Sequence, residues 1–300
     1  MNPAMTQPII DAHHHIWRQA DLPWLAGPMV PRIFGPYEPI RRDYPIEEFL
    51  ADIAGSDVVR SVYVQANWPP DRAQDEAEWV QSEADRTGWP HGIVAYADLM
   101  AGDVRPALAR LARVPLVRGI RMQLHWHDNP QYRFAPHADV ADDAVFRRNF
   151  AALADHGLSF DLQVFAPQMA GAARLAADHP GTTFILQHAG MLEDLSETGR
   201  AEWRAAMRDL AAQPNVVAKL SGLGTFIHRN DPDHIAGIVR ETAALFGPER
   251  CLFGSNFPIE KLWTDYAALA AAYRDAVSSF TPAEQAAMLH DTAARVYRLA

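Results

Sequence analysis

Three consecutive histidines follow an apolar run near the start of the chain, in the segment IIDAHHHIW (residues 9–17). The apolar run predicts a β-strand, and side chains two residues apart on a strand share a face. His13 and His15 therefore point to one side of the strand and His14 to the other. Two neighbouring imidazoles can hold a metal ion together or donate two hydrogen bonds to one oxygen. We expect His13 and His15 to act at a reaction centre and His14 to be structural.

Short apolar runs alternate with amphipathic stretches along the rest of the chain, which predicts strands alternating with helices. Candidate strands lie at residues 9–13, 59–67, 91–98, 116–124, 159–165, 183–188, 216–220 and 251–255. Candidate helices lie at residues 46–53, 73–87, 104–111, 144–156, 168–178, 197–211, 233–245, 266–277 and 282–299. This order predicts an α/β fold, a (β/α)8 TIM barrel forming one domain over residues 1–300. An open doubly wound sheet is the alternative, but it usually carries a glycine-rich phosphate turn where this chain has histidines.

Polar side chains stand at the predicted carboxyl ends of the strands, which meet at one mouth in a barrel. In chain order they are His13, His15, Gln65, Asn67, Asp98, Arg121, Gln123, His125, Asp161, Gln163, His188, Lys219, Ser221 and Asn256. Because unpaired buried polar groups are costly, such a ring predicts a functional site. Two structural interpretations stay open: Arg121 could pair with Asp161 or Asp98, and Lys219 could neutralise a buried acid.

Two long loops follow the first and fourth predicted strands, at residues 18–44 and 125–140. Both leave the carboxyl end of a strand, so we expect them to form lids or walls of the pocket. Arg32 and Arg133 in these loops could join Arg121 and His125 in binding a carboxylate or a polyol, because the arginine fork matches carboxylates. The tryptophans at positions 17, 24, 68 and 126 could stack on a substrate ring or simply pack.

Composition excludes several partners. The net charge is −10, which argues against nucleic acid and anionic lipid, because both need a basic face. No run of about eighteen apolar residues predicts a membrane span, and no signal-peptide pattern is present. The single cysteine, Cys251, excludes an intrachain disulfide and indicates the cytoplasm. We expect a small anionic or polyhydroxylated substrate, with a homodimer as the base-rate oligomer.

Four motifs stand out along the chain: DAHHHIW (residues 11–17), FILQHAG (184–190), KLSG (219–222) and LFGSNFP (252–258). Together they resemble the amidohydrolase superfamily, in particular the amidohydrolase 2 branch of sugar lactonases and pyrone-dicarboxylate and muconolactone lactonases. The resemblance runs from Ile9 to the terminal DTAARVYRL (residues 291–299).

The resemblance implies a histidine pair on strand one, histidines on strands five and six, and a catalytic aspartate on strand eight. His13, His15 and His188 match this pattern, whereas Gln163 stands at the strand-five position and Asn256 at the strand-eight position. An amide cannot take a proton from water at ordinary pH, since it has no basic form. The same sequence would also result if Asn256 were an engineered change from the aspartate that the resemblance implies at this position.

The leading hypothesis is therefore a hydrolase that opens a small lactone or ester of a sugar acid or of an aromatic-catabolism intermediate. His188, expected near its ordinary pKa, is the candidate general base, and His13 and His15 stabilise the oxyanion. Asn256 and Gln163 orient water and substrate, and Gln65 and Asn67 also bind substrate.

The same histidines, His13, His15 and His188, are the candidate ligands of a metal, with zinc as the first choice. Because no carboxylate completes the set, we expect either no metal or a weakly bound divalent ion. Two alternatives remain: a metal-dependent non-oxidative decarboxylase of the same superfamily, and a non-catalytic relative that binds a small molecule.

Overall fold

Eight parallel strands form the centre of the computed structural model, which describes residues 7–299. Residues 1–6 and 300 of the predicted domain lie outside the described residues. Each strand pairs with the next in chain order: β1 Ile9–His14, β2 Val58–Val64, β3 Gly92–Ala95, β4 Val117–Ile120, β5 Ser159–Leu162, β6 Phe184–Leu186, β7 Val216–Leu220 and β8 Cys251–Phe253. The segment after β8 returns to β1, where Asn256 donates its backbone N–H to the His13 carbonyl at 2.7 Å. The predicted (β/α)8 barrel is confirmed.

Helices cover the outside of the barrel. They span Pro23–Ala26, Ile46–Asp52, Ala73–Thr87, Arg105–Leu111, Ala144–Ala151, Met169–Asp178, Glu197–Ala211, Pro232–Phe246, Tyr266–Val277, Pro282–Ala286 and Thr292–Val296. The predicted helix at residues 282–299 is divided, because a π-helical turn, Ala287–Asp291, separates its two α-helical parts. The predicted helix at residues 144–156 ends early and continues as a 3-10 turn, Ala154–His156. None of the helices described is long and apolar enough to cross a membrane.

Most strands end before the predicted limit at the barrel mouth. β2 ends at Val64 rather than at Asn67, and β4 ends at Ile120 rather than at Leu124. Ladder pairing stops there because the backbone begins to turn outward; Asn67, for example, has a φ of 67°, outside the strand region. The polar residues of the ring therefore lie mostly on the turns just beyond the strands.

Apolar side chains fill the barrel interior, among them Ile10, Val62, Ile185 and Leu252. Tyr297, near the C-terminus, packs into the same cluster and closes the end of the barrel opposite the mouth. This packed interior lies directly beneath the mouth of the barrel and forms the floor of the pocket.

One ion pair is buried in that floor. Lys219 Nζ donates to Asp161 Oδ2 at 2.7 Å, and both side chains are fully buried. Gln187 Nε2 donates to the same oxygen at 2.7 Å, and the Tyr297 hydroxyl donates to the carboxylate at 3.0 Å. Lys219 thus neutralises a buried acid, which confirms the structural interpretation of Lys219 drawn from the sequence.

Arg121 forms neither of the ion pairs considered for it. Its Nη2 donates to the Gln65 carbonyl oxygen at 2.5 Å. Asp98 is exposed and accepts the backbone N–H of Met100 at 2.9 Å. The expectation that Asp98 belongs to the polar ring is therefore wrong, because β3 ends early and the chain has turned to solvent before residue 98.

Candidate active site

A pocket of about 880 Å³, counted to its open mouth, lies at the carboxyl ends of the strands. This is within the usual range for small-molecule sites. The turns after the strands contribute His15, Asn67, Arg121, Gln123, His125, Gln163, His188 and Asn256. The two long loops contribute Trp24, Arg32, Ile33, Phe34, Gln131, Arg133 and Phe134, and Trp17, just before the first loop, also lines the pocket. The structure thus brings together most of the residues proposed from the sequence.

A register shift in β1 directs the histidines. Pairing with β2 is irregular between Asp11 and His14, as in a β-bulge. Ala12 packs in the barrel interior, while the next residue, His13, lies beside the His188 ring with their centroids 4.9 Å apart. Bulges commonly re-aim side chains next to active sites in this way. His14 points outward and stacks on Phe49 at 3.8 Å.

His13 and His15 differ in access. His15 lines the pocket, and its Nδ1 lies 2.7 Å from the Val64 carbonyl oxygen, which leaves Nε2 free. His13 is fully buried beneath the lining, and neither ring nitrogen has a hydrogen-bond partner in the described part of the chain. His13 therefore packs against the rings of His15 and His188 and does not itself line the pocket.

His188 is held from below. Its Nδ1 lies 3.0 Å from Ser221 Oγ and 3.2 Å from the Ser221 carbonyl oxygen. When Nδ1 carries the proton and donates to Ser221, Nε2 is left as an acceptor. Gly222 permits this close approach, because a Cβ there would lie 2.6 Å from His188 Nδ1.

Left-handed backbone conformations gather at this mouth. Asn67, His188 and Asn256 have φ values of 67°, 53° and 58°, and all three side chains line the pocket. Such conformations are uncommon for residues other than glycine and cluster at functional sites. Their coincidence with the lining supports a functional interpretation of these positions.

Burial and positive neighbours keep the imidazoles neutral. Burial lowers the pKa of His188 to about 3, helped by the charges of Arg121 and Lys219. Burial, followed by Arg121, also lowers the pKa of His125 to about 3. The expectation that His188 sits near its ordinary pKa is therefore wrong: desolvation penalises the charged form. The ring is neutral at physiological pH, so its free nitrogen is available, although it is a weak base before charge develops nearby.

The pocket is positive in an acidic protein. Its lining contains Arg32, Arg121 and Arg133, and no Asp or Glu is among the described lining residues. Burial lowers the pKa of Arg121 to about 10, so the guanidinium stays charged, and its Nε has no hydrogen-bond partner among the described residues. Arg133 lies over the Trp126 ring at 4.6 Å and is exposed at the rim. Gln163 Oε1 is also buried without a partner in residues 7–299.

Some proposed residues lie outside the lining. Gln65 is buried behind it, and its Oε1 accepts the backbone N–H of Asn67 at 2.7 Å, so it shapes the turn. Trp68 packs against Trp79 at 5.8 Å instead of facing the pocket. The sequence shows no difference between these tryptophans and Trp17 or Trp24, since packing alone decides which faces the site.

Other residues at the site escaped sequence reasoning. Thr225 and Phe226, on the turn after β7, line the pocket. Glu260 lies directly behind the lining, four residues after Asn256. A signal was present in the spacing, because residues four apart on a helical turn share a side.

The donor set tests whether a divalent metal fits. His13, His15 and His188 cluster, with His13 and His15 ring centroids 5.1 Å apart. Nevertheless, within residues 7–299 no group of three or more His, Cys, Asp and Glu side chains is arranged to hold a metal ion. The side chain at the end of β8 is the Asn256 amide, where a zinc site would favour a carboxylate or imidazole. The residues as placed do not fit a tightly held divalent metal.

Comparisons with known proteins agree with the motifs. The family model described as Amidohydrolase matches residues 10–299. An uncharacterized protein of Sinorhizobium fredii, y4mH, is 38% identical over 97% of this chain and 98% of its own length. An L-fucono-1,5-lactonase of Burkholderia multivorans is 32% identical over 97% of this chain and 96% of its own. A zinc-bound amidohydrolase structure from Burkholderia multivorans gives a TM-score of 0.81 at 31% identity, covering 98% of this chain and 100% of that one.

The chain therefore belongs to the amidohydrolase family, which confirms the resemblance inferred from its motifs. Relatives named as lactonases support a hydrolase.

Proposed function

We propose that the protein hydrolyses a small lactone, of a sugar acid in the first instance and otherwise of an aromatic-catabolism intermediate. The observation that carries the proposal is the pocket: three guanidinium groups, neutral imidazoles and amides around one mouth, with no carboxylate in the described lining. Such a lining suits a polyhydroxylated ring that becomes an anion when it opens. The L-fucono-1,5-lactonase relative supports a sugar-acid lactone as the first substrate to test.

Stabilisation of the negative charge that develops on the substrate is assigned to the positively charged groups that line the pocket. When water attacks the lactone carbonyl carbon, negative charge develops on the carbonyl oxygen. Arg121 Nε is an oriented donor in a desolvated site, where such stabilisation is often the largest catalytic contribution. The neutral His15 ring donates its Nδ1–H to the Val64 carbonyl and therefore presents Nε2 to the pocket as an acceptor. His13 packs against the rings of His15 and His188, and Arg32 and Arg133 bind the hydroxyls and the carboxylate of the product.

Proton transfer is assigned to His188. Its Nε2 accepts a proton from the attacking water while Ser221 holds Nδ1. Negative charge developing on the substrate raises the basicity of the ring at that moment. The proton then passes to the leaving alkoxide as the ring C–O bond breaks. Asn256 and Gln163 orient the water and the substrate by hydrogen bonds, and His125 and Asn67 complete the lining.

The test is proton release at neutral pH, followed with an indicator, over sugar lactones, muconolactones and pyrone carboxylates. His188→Ala should lower kcat/KM by about 10²- to 10⁴-fold without loss of folding. His156→Ala, an exposed histidine at the opposite end of the barrel, is the matched control and should leave turnover unchanged. Full activity of His188→Ala would refute the assignment of the base.

Chelation sharpens the same assay. Turnover that persists with chelator supports a reaction without a bound metal. Turnover lost on chelation and restored by zinc would place a metal on His13, His15 and His188 and would refute the assignment of the reaction to these side chains without a bound metal. Wild type that is silent on every lactone, yet releases carbon dioxide from an aromatic acid, would replace the lactonase by the decarboxylase alternative. Tight binding without turnover would indicate the non-catalytic one.

A further inference from the structure

Glu260 is a buried carboxyl that the reaction scheme above does not use. It is 1% exposed, on the turn Glu260–Leu262 that follows β8. Its Oε2 accepts the indole N–H of Trp263 at 2.8 Å, whereas Oε1 has no hydrogen-bond partner among the described residues. An ionisable group this deep normally has full partners, so an open oxygen is notable.

Asn256 and Thr225, which both line the pocket, have their side chains beside this carboxyl. Glu260 donates its backbone N–H to the Asn256 carbonyl at 3.3 Å, so the two residues lie on one helical turn. The side chains of Asn256 and Thr225 come close enough to lower the pKa of Glu260, although neither forms a hydrogen bond of standard geometry with Oε1. The loop after β7 also packs on the carboxyl, since a Cβ at Gly224 would lie 2.7 Å from Oε2.

Burial raises the pKa of Glu260 to about 8, against the opposing effect of Trp263, Asn256 and Thr225. The titratable groups around it are few. Tyr273 packs from the helix Tyr266–Val277, and its own pKa is raised by burial and by Glu260. His228 packs near the Trp263 ring, with the two ring centroids 5.9 Å apart. The neighbouring Lys261 is engaged elsewhere, by Glu48 at 2.7 Å and Asp52 at 2.8 Å.

We propose that Glu260 is a positioning residue that fixes the Asn256 amide: its carboxylate accepts from Asn256 Nδ2, which turns Oδ1 toward the pocket as the acceptor for the attacking water. An amide has a donor end and an acceptor end, so its partner decides which end faces the substrate. When Glu260 is protonated, its O–H donates to Oδ1 instead and the wrong end of the amide faces the water. This inference rests on the proposed hydrolysis, to which it adds a carboxylate where the lining has none.

The consequence is a pH dependence of the reaction. The ionised form of Glu260 is the active one, so kcat/KM should rise with pH through a pKa near that of the carboxyl. Glu260→Gln removes this limb and lowers kcat by about 10²-fold, since a misplaced water is costly, while KM changes little. Glu249→Gln, an exposed carboxylate just before β8 at the opposite end of the barrel, is the matched control and should keep the wild-type profile.

A second variant protects the test against misfolding. Thr225→Val is nearly isosteric and removes a group that favours the ionised carboxylate, so the pKa of Glu260 rises and the limb moves to higher pH. The inference is overturned if the rise of kcat/KM with pH persists in Glu260→Gln or does not shift in Thr225→Val. Either result leaves the proposed hydrolysis intact.

Infrared difference spectroscopy follows the carboxyl without turnover. In the difference between wild type and Glu260→Gln we expect a carboxylic acid band that disappears between about pH 6 and about pH 9, because the contribution of Glu76, whose pKa burial raises to about 7, is common to both proteins and cancels. If no lactone is turned over but this band titrates, the proposed function fails and the carboxyl assignment stands. Absence of the band in folded wild type overturns the inference whatever the lactone result.

Discussion

Two clusters of buried polar side chains occupy the same barrel and differ in how fully they are paired. In the floor cluster, Lys219, Gln187 and Tyr297 all donate to the Asp161 carboxylate. The mouth cluster comprises Arg121, His125, Gln163 and the groups around them. There, Arg121 Nε, His125 Nδ1 and Gln163 Oε1 have no partner among residues 7–299. Both clusters are buried, and Gln187 Oε1 in the floor also has no partner among residues 7–299. The charges of the floor are nevertheless paired with each other, whereas Arg121 has no carboxylate beside it in the lining, so charge pairing is what separates a structural cluster from one kept open for a ligand.

The largest effect on stability should come from breaking the ion pair between Lys219 and Asp161 in the floor cluster. Lys219→Met leaves Asp161 buried without its counter-charge, which should lower the free energy of unfolding by about 3 to 5 kcal/mol. Denaturant unfolding followed by circular dichroism measures this. The double variant Lys219→Met with Asp161→Leu removes both charges and should recover most of the loss. A single variant as stable as wild type would show that the floor pair is not structural.

Acid should act on the buried histidines first. Burial lowers the pKa of His14, His125 and His188 to about 3, so the folded state binds fewer protons than the unfolded state below pH 6.5. Stability should therefore fall as the pH drops below 6.5. Two buried carboxyls oppose this, because burial raises the pKa of Glu76 to about 7 and of Glu260 to about 8.

His13 and His15, whose pKa values burial also lowers, add to the three imidazoles above, so the net loss is about 2 kcal/mol or more between about pH 6.5 and about pH 5. Urea midpoints across this range measure the loss. His14→Phe keeps the ring stacked on Phe49 and removes one titrating group, so its midpoint should vary less with pH. An unfolding free energy that rises on acidification would contradict the neutral state of these rings.

The smallest effect on stability should come from a matched pair of glutamines. Gln163→Leu removes an unpaired buried amide at the mouth and should change stability by less than about 1 kcal/mol, while catalytic efficiency falls. Gln187→Leu removes a donor from Asp161 in the floor and should cost about 1 to 3 kcal/mol. Thermal unfolding and the lactone assay together separate the two. Equal stability losses would erase the distinction between the clusters.

The barrel itself was predictable from particular patterns in the chain. The apolar run before His13 and the seven that follow it specify strands, and three predicted helices, at 73–87, 197–211 and 266–277, match the structure residue for residue. The sequence also indicated that His13 and His15 would share a side opposite His14. These features were predictable because they depend on local periodicity, which the order of residues carries directly.

Only the tertiary structure determined the geometry and the protonation of the side chains at the mouth of the barrel. The bulge in β1, the low pKa of His188 and the outward turn at Asp98 arise from neighbours distant in sequence. The same holds for Trp17 and Trp24, which line the pocket while Trp68 does not. The sequence by itself determined which chemical groups stand at the strand ends. Their depth, pairing and protonation depend on long-range packing and desolvation, which no short stretch of residues specifies.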